Sequence, residues 1–137
     1  MAFYGTTITE TYAADMSWLR GDHAQIEVLP CTLDTADFEE YKVKKGTEYW
    51  IPAGVPLAYD SSKKRFIPFV NGTTGALEGF LRDNIKVEYR DPEVDSVLGS
   101  VITHCTIRRS RLPEPARAQI TYESAAAAHG TIRLEVE

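Results

Sequence analysis

The sequence contains three histidines, His23, His104 and His129, that could bind a metal or act as a general base. They are far apart along the chain, and each has a structural explanation of its own. His23 follows an expected turn, His104 falls opposite Cys105 on an expected strand, and His129 lies where a cation complements the end of a helix. We therefore predict no metal site.

Four acidic residues, Asp34, Asp37, Glu39 and Glu40, form a second cluster that could hold a cation. A dedicated calcium loop needs oxygen ligands at alternate positions and a central glycine, and this run has neither. Asp34 instead suits the N-cap of a short helical turn. No nucleophile elbow, phosphate-binding loop, dinucleotide fingerprint or Cys-His nucleophile pair occurs. The sequence predicts neither an enzyme nor a bound cofactor.

The composition narrows the possible partners. The 137 residues, 43% of them hydrophobic, suffice for one domain with its own core. With 20 acidic and 15 basic residues, the formal charge of −5 argues against nucleic acid, whose binding needs a clustered basic face. No run approaches the roughly 18 apolar residues of a membrane span, and the opening residues do not resemble a signal peptide. We expect a cytoplasmic site of synthesis, with Cys31 and Cys105 unpaired and Cys105 buried.

Alternating apolar and polar residues predict strands in "HAQIEVLPCTLD", "NIKVEYR", "SVITHCTIRR" and "TIRLEVE". In the third of these, Val101, Thr103, Cys105 and Ile107 share one face. The stretch Ile51–Leu81 is interpreted as a turn, a strand, the hairpin tip "DSSKK", a returning strand, the turn "NGTTG" and a further strand. This pattern predicts a mainly β fold, a compact antiparallel β-sandwich or barrel-like domain.

Helix is expected only near the C-terminus, in "EPARAQITYESAAAAHG". Pro115 suits a first helical turn, the alanine run has high helical propensity, and Gly130 suits the position after the last turn. Ile120 and Thr121 weaken the centre. The sequence leaves open whether this short segment is one helix or two.

The first 20 residues differ from the remainder, and we assign 1–20 to an extended N-terminal arm and 21–137 to a single β-rich domain. Phe3, Tyr4, Tyr12 and Trp18 fall in the arm, where no intrachain core is expected for them. Exposed aromatic side chains of this kind are typical of interfaces. The arm is therefore expected to be mobile in the free protein and extended against a partner.

Turn chemistry in the middle of the chain resembles that of one protein family. The pattern consists of Gly54, Pro56 and Leu57, the tip Asp60 to Lys64, the turn Asn71 to Gly75, and Ala76 with Gly79, Phe80 and Leu81. It is similar to the head decoration proteins of tailed bacteriophages, the lambda decoration protein family. The flanking runs "DMSWLRGDHAQ", "TLDTADF", "VLGSVITH" and "RLP" resemble the longer members from phages of actinobacteria.

The resemblance implies a virion structural protein that binds the outer capsid surface at threefold positions as a homotrimer and stabilises the DNA-filled head. Its partner would be the major capsid protein, gripped by arm residues Phe3, Tyr4, Thr6, Thr7, Ile8, Tyr12 and Trp18. The expected trimer contacts are Trp50, Pro52, Pro56 and Pro113. A tail or baseplate module, or a small ligand-binding barrel, remains an alternative. The segment Asp15–Lys45, which makes this chain longer than the type member, has no assigned role.

Overall fold

The computed structural model describes residues 15–20, 28–87 and 96–135. The strands in these residues are β1 (Val28–Asp34), β2 (Val43–Lys45), β3 (Glu48–Ile51), β4 (Pro56–Asp60), β5 (Arg65–Pro68), β6 (Leu77–Leu81), β7 (Ile85–Val87), β8 (Ser96–Ile102), β9 (His104–Ile107) and β10 (Thr131–Leu134). The helices are two short 3₁₀-helices (Thr35–Tyr41 and Arg109–Arg111), α1 (Glu114–Gln119) and α2 (Tyr122–Ala126).

Five strands close into a barrel in the order β1, β5, β4, β6, β8, with β8 returning to β1. The β1–β8 pair is the longest, running from Val28 opposite Ile102 to Asp34 opposite Ser96. All pairs in the barrel are antiparallel except β1 with β5, which meet in parallel at Leu33 and Phe66. The expected mainly β, largely antiparallel and barrel-like domain with a short C-terminal helical segment is confirmed.

The stretch Ile51–Leu81 supplies three of the five barrel strands and matches its sequence interpretation element by element. At the hairpin tip, the Asp60 carboxylate accepts hydrogen bonds from the Ser62 amide (2.9 Å) and hydroxyl (2.6 Å), which lowers the pKa of Asp60. In the second turn, the Thr73 amide donates to the Val70 carbonyl at 3.0 Å. Side-chain and main-chain hydrogen bonds within a few residues thus fix both turns.

Two smaller sheets complete the β structure. Strands β2, β3 and β7 form an antiparallel sheet, and β9 pairs with β10 in parallel. The predicted continuous strand through residues 101–107 is interrupted at Thr103, because there the chain leaves the barrel for the β9–β10 sheet. Val101, Cys105 and Ile107 are buried as expected, whereas Thr103 is only half-buried.

The helical segments follow local capping. The Asp34 carboxylate accepts from the Ala36 amide at 3.3 Å and caps the first 3₁₀-helix, as the sequence predicts. The C-terminal region is two helices, since Ile120 and Thr121 lie between α1 and α2. Thr121 begins the second through a reciprocal capping box with Ser124. Within the residues described, no helix combines the length and apolar character needed to cross a membrane.

Candidate docking face at the arm root

Residues 15–20, here called the arm root, lie against the edge of β9. Leu19 forms an antiparallel bridge with Ile107. The Arg20 amide donates to the Thr106 carbonyl at 2.9 Å, and the Arg108 amide donates to the Trp18 carbonyl at 2.7 Å. The arm root is therefore part of the folded body, although the sequence placed it in the arm.

Trp18 is the residue that joins the arm root to the core of the body. Its side chain is 1% exposed and packs on Phe80, with ring centroids 5.7 Å apart. Gly54, at a φ of 94°, makes room for the indole: a Cβ there would lie 2.9 Å from Trp18 Nε1. The expectation that Trp18 has no intrachain core is wrong, because turn residue Gly54 and Pro113 form a pocket for it from distant parts of the sequence. A buried indole contacts a partner only by leaving this core.

An ionic cluster fastens the arm root from outside. The Glu135 carboxylate accepts from Arg20 Nη1 through one oxygen and from Arg108 Nε, at 2.9 Å, through the other. Arg108 Nη1 also approaches the Ser17 carbonyl at 3.5 Å. These three charged residues were missed by sequence reasoning, because Arg20 and Glu135 are separated by 115 positions and nothing in either neighbourhood pairs them.

The first described residue, Asp15, is held in a turn. Its carboxylate accepts from the Ser17 amide at 3.0 Å. Hydrogen bonds from the hydroxyl and amide of Ser17, with a smaller effect from the charge of Arg111, lower the pKa of Asp15. Asp15 is thus a fixed carboxylate from which the preceding residues continue.

A groove of about 350 Å³ lies beside the arm root, at the meeting of five chain segments. We call it the arm-root groove. Its walls are Asp15 and Trp18, Glu40 to Val43, Pro52, Ala53 and Asn84, and the corner from Arg111 to Pro115 with Arg117. The groove combines proline rings, a tyrosine and side chains of both signs of charge.

The residues expected at a trimer interface are distributed unequally. Pro52 and Pro113 both line the arm-root groove and are half-buried. Trp50 pairs with Val43 and Lys86 and lies on the face of β3 opposite Tyr49, which packs against the core. Pro56 is buried opposite Phe80 in the barrel, so its place on an outer contact surface is wrong.

The arm positions expected to grip a partner mostly fall beyond the structure's description. Phe3, Tyr4, Thr6, Thr7, Ile8 and Tyr12 lie outside the described residues.

On the body, Leu98 and Tyr122 are exposed apolar side chains, at 78% and 64% of their surface. Leu98 lies on β8, and Tyr122 is the first residue of α2. Neither residue was singled out from the sequence, since a single apolar side chain on a surface has no periodic signal.

Two of the three histidines, His104 and His129, lie in the described part of the chain. His129 pairs through Nδ1 with Glu78, and His104 is exposed on β9; both line a shallow groove of about 290 Å³. His23 lies outside the described residues. Among the residues that the structure describes, no three histidine, cysteine or acidic side chains form a group that could hold a metal ion.

Lys63, at the β4–β5 hairpin tip, bridges two of the acidic residues. Its ammonium lies 3.1 Å from an Asp34 oxygen and 3.3 Å from an Asp37 oxygen, and the hydrogen bonds to Asp34 and Asp37 raise the pKa of Lys63. Glu39 pairs with Lys42 at 2.7 Å. The acidic run is therefore a capped helix joined to a hairpin, as its capping pattern indicates.

The cysteines behave as buried hydrophobic residues. Cys31 and Cys105 are unpaired and buried, which confirms the prediction. Burial raises the pKa of Cys31 to about 11 and that of Cys105 to about 12. At neutral pH neither thiol forms the thiolate that nucleophilic chemistry requires.

A scan of the chain against models of known protein families finds no match, and a search of curated proteins finds none either. Fold and site together describe a small barrel domain in which residues 15–20 are bonded to the body beside the arm-root groove.

Proposed function

We propose that this chain is a virion structural protein, a head decoration protein of a tailed phage. It would bind the major capsid protein on the outer capsid surface at threefold positions, as a homotrimer, and stabilise the DNA-filled head. Synthesis would occur in the host cytoplasm, and the protein would carry no catalytic activity. The sequence resemblance supplies the family, and the arm root supplies the physical support.

The observation that carries the proposal is the anchoring of the arm root. Trp18 is buried in the core, the Arg20 amide donates to Thr106 of β9, and the Trp18 carbonyl accepts from Arg108, the residue that follows β9. Residues 1–14 therefore start from a fixed point on a rigid body. A load applied to them would pass into the core through a buried indole and two backbone hydrogen bonds. This is the arrangement required of a segment that holds a protein on a particle.

The energetics favour several arms acting together. Ordering each arm residue costs about 1–2 kcal/mol. A new backbone hydrogen bond stabilises by about 1 kcal/mol, and burial of a side chain such as Phe3 or Ile8 by about 2 kcal/mol. One arm therefore has little net affinity. Three arms joined in a trimer, together with contacts from the body, supply the affinity that one lacks.

The test is binding to heads by the full chain and by a chain lacking residues 1–12. Heads from the phage that carries the gene are mixed with each protein, sedimented and quantified, with melting temperature recorded in parallel. We expect the truncated protein to keep its melting temperature and oligomeric state while its affinity for heads falls by orders of magnitude. Replacing Thr9 and Thr11 by serine serves as the matched control, because it keeps the arm's length and polarity and neither threonine is among the expected gripping residues.

If the truncated protein binds heads with unchanged affinity, the arm does not hold the protein on the capsid. The segment Asp15–Lys45 then becomes the candidate for that contact. Binding of the full chain to tails or baseplates, and not to heads, contradicts decoration and favours another virion module. A small molecule that binds the folded body, with no binding to any part of the particle, would favour a ligand-binding barrel.

A further inference from the structure

A second groove, of about 390 Å³, lies between the first 3₁₀-helix and the end of β5. We call it the carboxylate groove. It shares Glu40 and Tyr41 with the arm-root groove and is otherwise lined by different residues. The lining comes from three segments: Ala36, Asp37 and Glu39 to Tyr41 of the helix, Ile67 to Val70 and Thr74 of β5 and the residues after it, and Gln119 of α1.

The two larger sides of this groove differ in chemistry. The side formed by β5 and the residues after it is apolar except for one threonine, and Ile67 and Val70 keep part of their surface exposed. No lysine or arginine lines the carboxylate groove among the described residues. The charged lining is therefore of one sign, whereas the arm-root groove contains both. It consists of three exposed carboxylates on the helix side, those of Asp37, Glu39 and Glu40.

Two lysines reach these carboxylates from outside the lining, and they do not neutralise the helix side. Lys63 is shared between Asp37, at 3.3 Å, and the N-cap carboxylate of the helix, at 3.1 Å. Lys42 pairs with Glu39 at 2.7 Å. With Glu40 included, four carboxylates face two ammonium groups. The helix side of the groove therefore keeps an excess of negative charge.

A lysine or arginine side chain suits both sides of the groove at once. Its methylene stem packs along apolar surface while its charged head reaches a polar partner. Hydrogen bonds between such a head and a carboxylate are charge-assisted and stronger than neutral ones. At about 390 Å³ the groove is also within the size range of ligand sites in proteins. Charge and lining together favour a cationic side chain over an anionic or a purely apolar one.

We propose that the carboxylate groove is a docking site for an arginine or lysine side chain of a partner protein. The stem lies against Ile67 and Val70, and the charged head lies at Asp37 and Glu40. The site does not depend on the capsid role. The identity of the partner rests on the proposed function: there it is the major capsid protein, and the groove is one of the contacts that the body adds to those of the arm.

A second copy of this chain is a poorer occupant. The formal charge of −5 makes two copies repel one another. Several arginines are also engaged within their own chain. Arg109 Nε donates to the Arg117 carbonyl and Arg117 Nε to the Leu112 carbonyl, both at 2.9 Å. Arg65 lies opposite Asp60 in the β4–β5 hairpin. A segment of a different protein is therefore the better match.

Peptide titration of the full chain tests the site. The probe is acetyl-Leu-Arg-Leu-amide, added to isotope-labelled protein while the backbone amide shifts are recorded by NMR. We expect saturable shifts at the amides of Ala36, Val70 and Thr74, which line the carboxylate groove. The amides of Ala53 and Asn84, which line only the arm-root groove, should not move. Saturable shifts at Ala53 and Asn84 instead, or at no residue, overturn the proposal.

Two further peptides separate the contributions of the head and the stem. Citrulline in place of arginine keeps the shape and removes the charge, and this peptide should bind about fivefold more weakly. A homologue of arginine whose stem is two methylene groups shorter keeps the charge, and its peptide should bind about three- to tenfold more weakly. Equal affinity of the citrulline peptide contradicts the role of the carboxylates. Equal affinity of the shorter homologue contradicts the role of the apolar side.

A matched pair of variants tests where the charged head lies. Glu40→Gln removes a lining carboxylate, and we expect it to weaken binding of the arginine peptide about threefold. Glu114→Gln removes an exposed carboxylate that lines only the arm-root groove, and it should leave the affinity unchanged. Equal weakening by both variants contradicts docking in the carboxylate groove, because it reports only the net charge of the protein. Groove amides that shift when the protein is concentrated without peptide overturn the proposal in favour of a second copy.

Head binding separates this inference from the proposed function. If the peptide binds in the groove and Glu40→Gln, but not Glu114→Gln, weakens binding to heads, both stand. If the peptide binds in the groove and the full chain binds no heads, the site stands and the proposed function fails. If the peptide does not bind while the full chain binds heads, the proposed function stands and the docking site fails. If the peptide binds and Glu40→Gln binds heads as the parent chain does, the capsid protein is not the partner of this groove.

Discussion

The stretch Ile51–Leu81 and the arm root are held in place in opposite ways. Within Ile51–Leu81, several of the bonds that shape the chain are internal: the Phe69 amide donates to the Pro56 carbonyl and the Gly54 amide to the Leu81 carbonyl, at 2.9 and 2.8 Å. The arm root bonds to Thr106, Arg108 and Glu135, about 90 to 115 positions away. The internal bonds of the first region close over short stretches of sequence, whereas those of the arm root need the C-terminal part of the chain to be in place.

The largest expected effect comes from removing the arm root's anchor. Trp18→Ala should lower the free energy of unfolding by about 3–5 kcal/mol, because it leaves a cavity beside Phe80. Trp50→Ala is the control, since Trp50 lies outside the core, and it should cost clearly less. Urea unfolding followed by circular dichroism measures both. Equal losses would mean that Trp18 is no more important to the fold than a tryptophan outside the core.

The next effect tests the contact between the two regions. Gly54→Ala should cost about 2–4 kcal/mol, from a strained φ of 94° and a Cβ forced against Trp18. Gly72→Ala isolates the backbone strain, because its φ is 81° and a Cβ there meets nothing within 4 Å. The difference between the two free energies of unfolding measures the steric contact. In the absence of Trp18 that difference should shrink, and a double-mutant cycle with Trp18→Ala detects it. If the difference between Gly54→Ala and Gly72→Ala persists in full without Trp18, the extra cost at Gly54 does not come from contact with Trp18.

A smaller effect is expected where the hairpin tip meets the first 3₁₀-helix. Asp34→Ala removes the N-cap and one contact of Lys63, and should cost about 1 kcal/mol. Asp37→Ala removes the other contact of Lys63 but keeps the N-cap, and serves as the control. Thermal unfolding compares the two. If Asp37→Ala is the more destabilising variant, capping is not what the acidic run contributes.

The smallest effect concerns the ionic cluster over the arm root. Glu135→Gln should cost about 1 kcal/mol, since the ion pairs of this half-buried carboxylate still lie at the surface, and high salt should reduce the loss further. Hydrogen exchange gives a local reading: the amides of Arg20 and Arg108, both bonded across the arm root, should exchange faster. Glu48→Gln, which breaks an ion pair with Lys86 elsewhere, should leave those amides unchanged. Faster exchange in neither variant would show that the backbone and Trp18 hold the arm root without Glu135.

The two regions also mark how far the sequence could be interpreted. The turns at Asp60 and Val70 and the cap at Asp34 were predictable, because the groups that determine them lie within four residues of one another. The weak point at Ile120 and Thr121 was identified from the sequence, but the choice between one helix and two was left open and is made by the capping box at Thr121. The burial of Trp18 and the barrel's closure through β1 and β8 were not, because they depend on contacts between distant segments. The prediction that Pro56 lies on an outer surface was wrong for the same reason. A proline at the start of a strand does not show from sequence alone whether other segments bury it.

The arm-root groove was not predicted as a site. Pro52 and Pro113, which the sequence assigned to a trimer interface, both line it, and the trimer contact itself stays a prediction. Asp15 and Arg111, which border the same groove, carry no motif that joins them. Their proximity follows from the pairing of the arm root with β9, which only the fold provides.

Imaging of the phage head tests the central claim most directly. Heads with and without the bound protein are reconstructed by electron cryo-microscopy, and the difference density is compared with the barrel. The account predicts three copies around each threefold position on the outer surface, with density that continues from Trp18 over the major capsid protein. Heads that show no difference density, or density that contacts the capsid only through the barrel while residues 1–14 touch nothing, would contradict it.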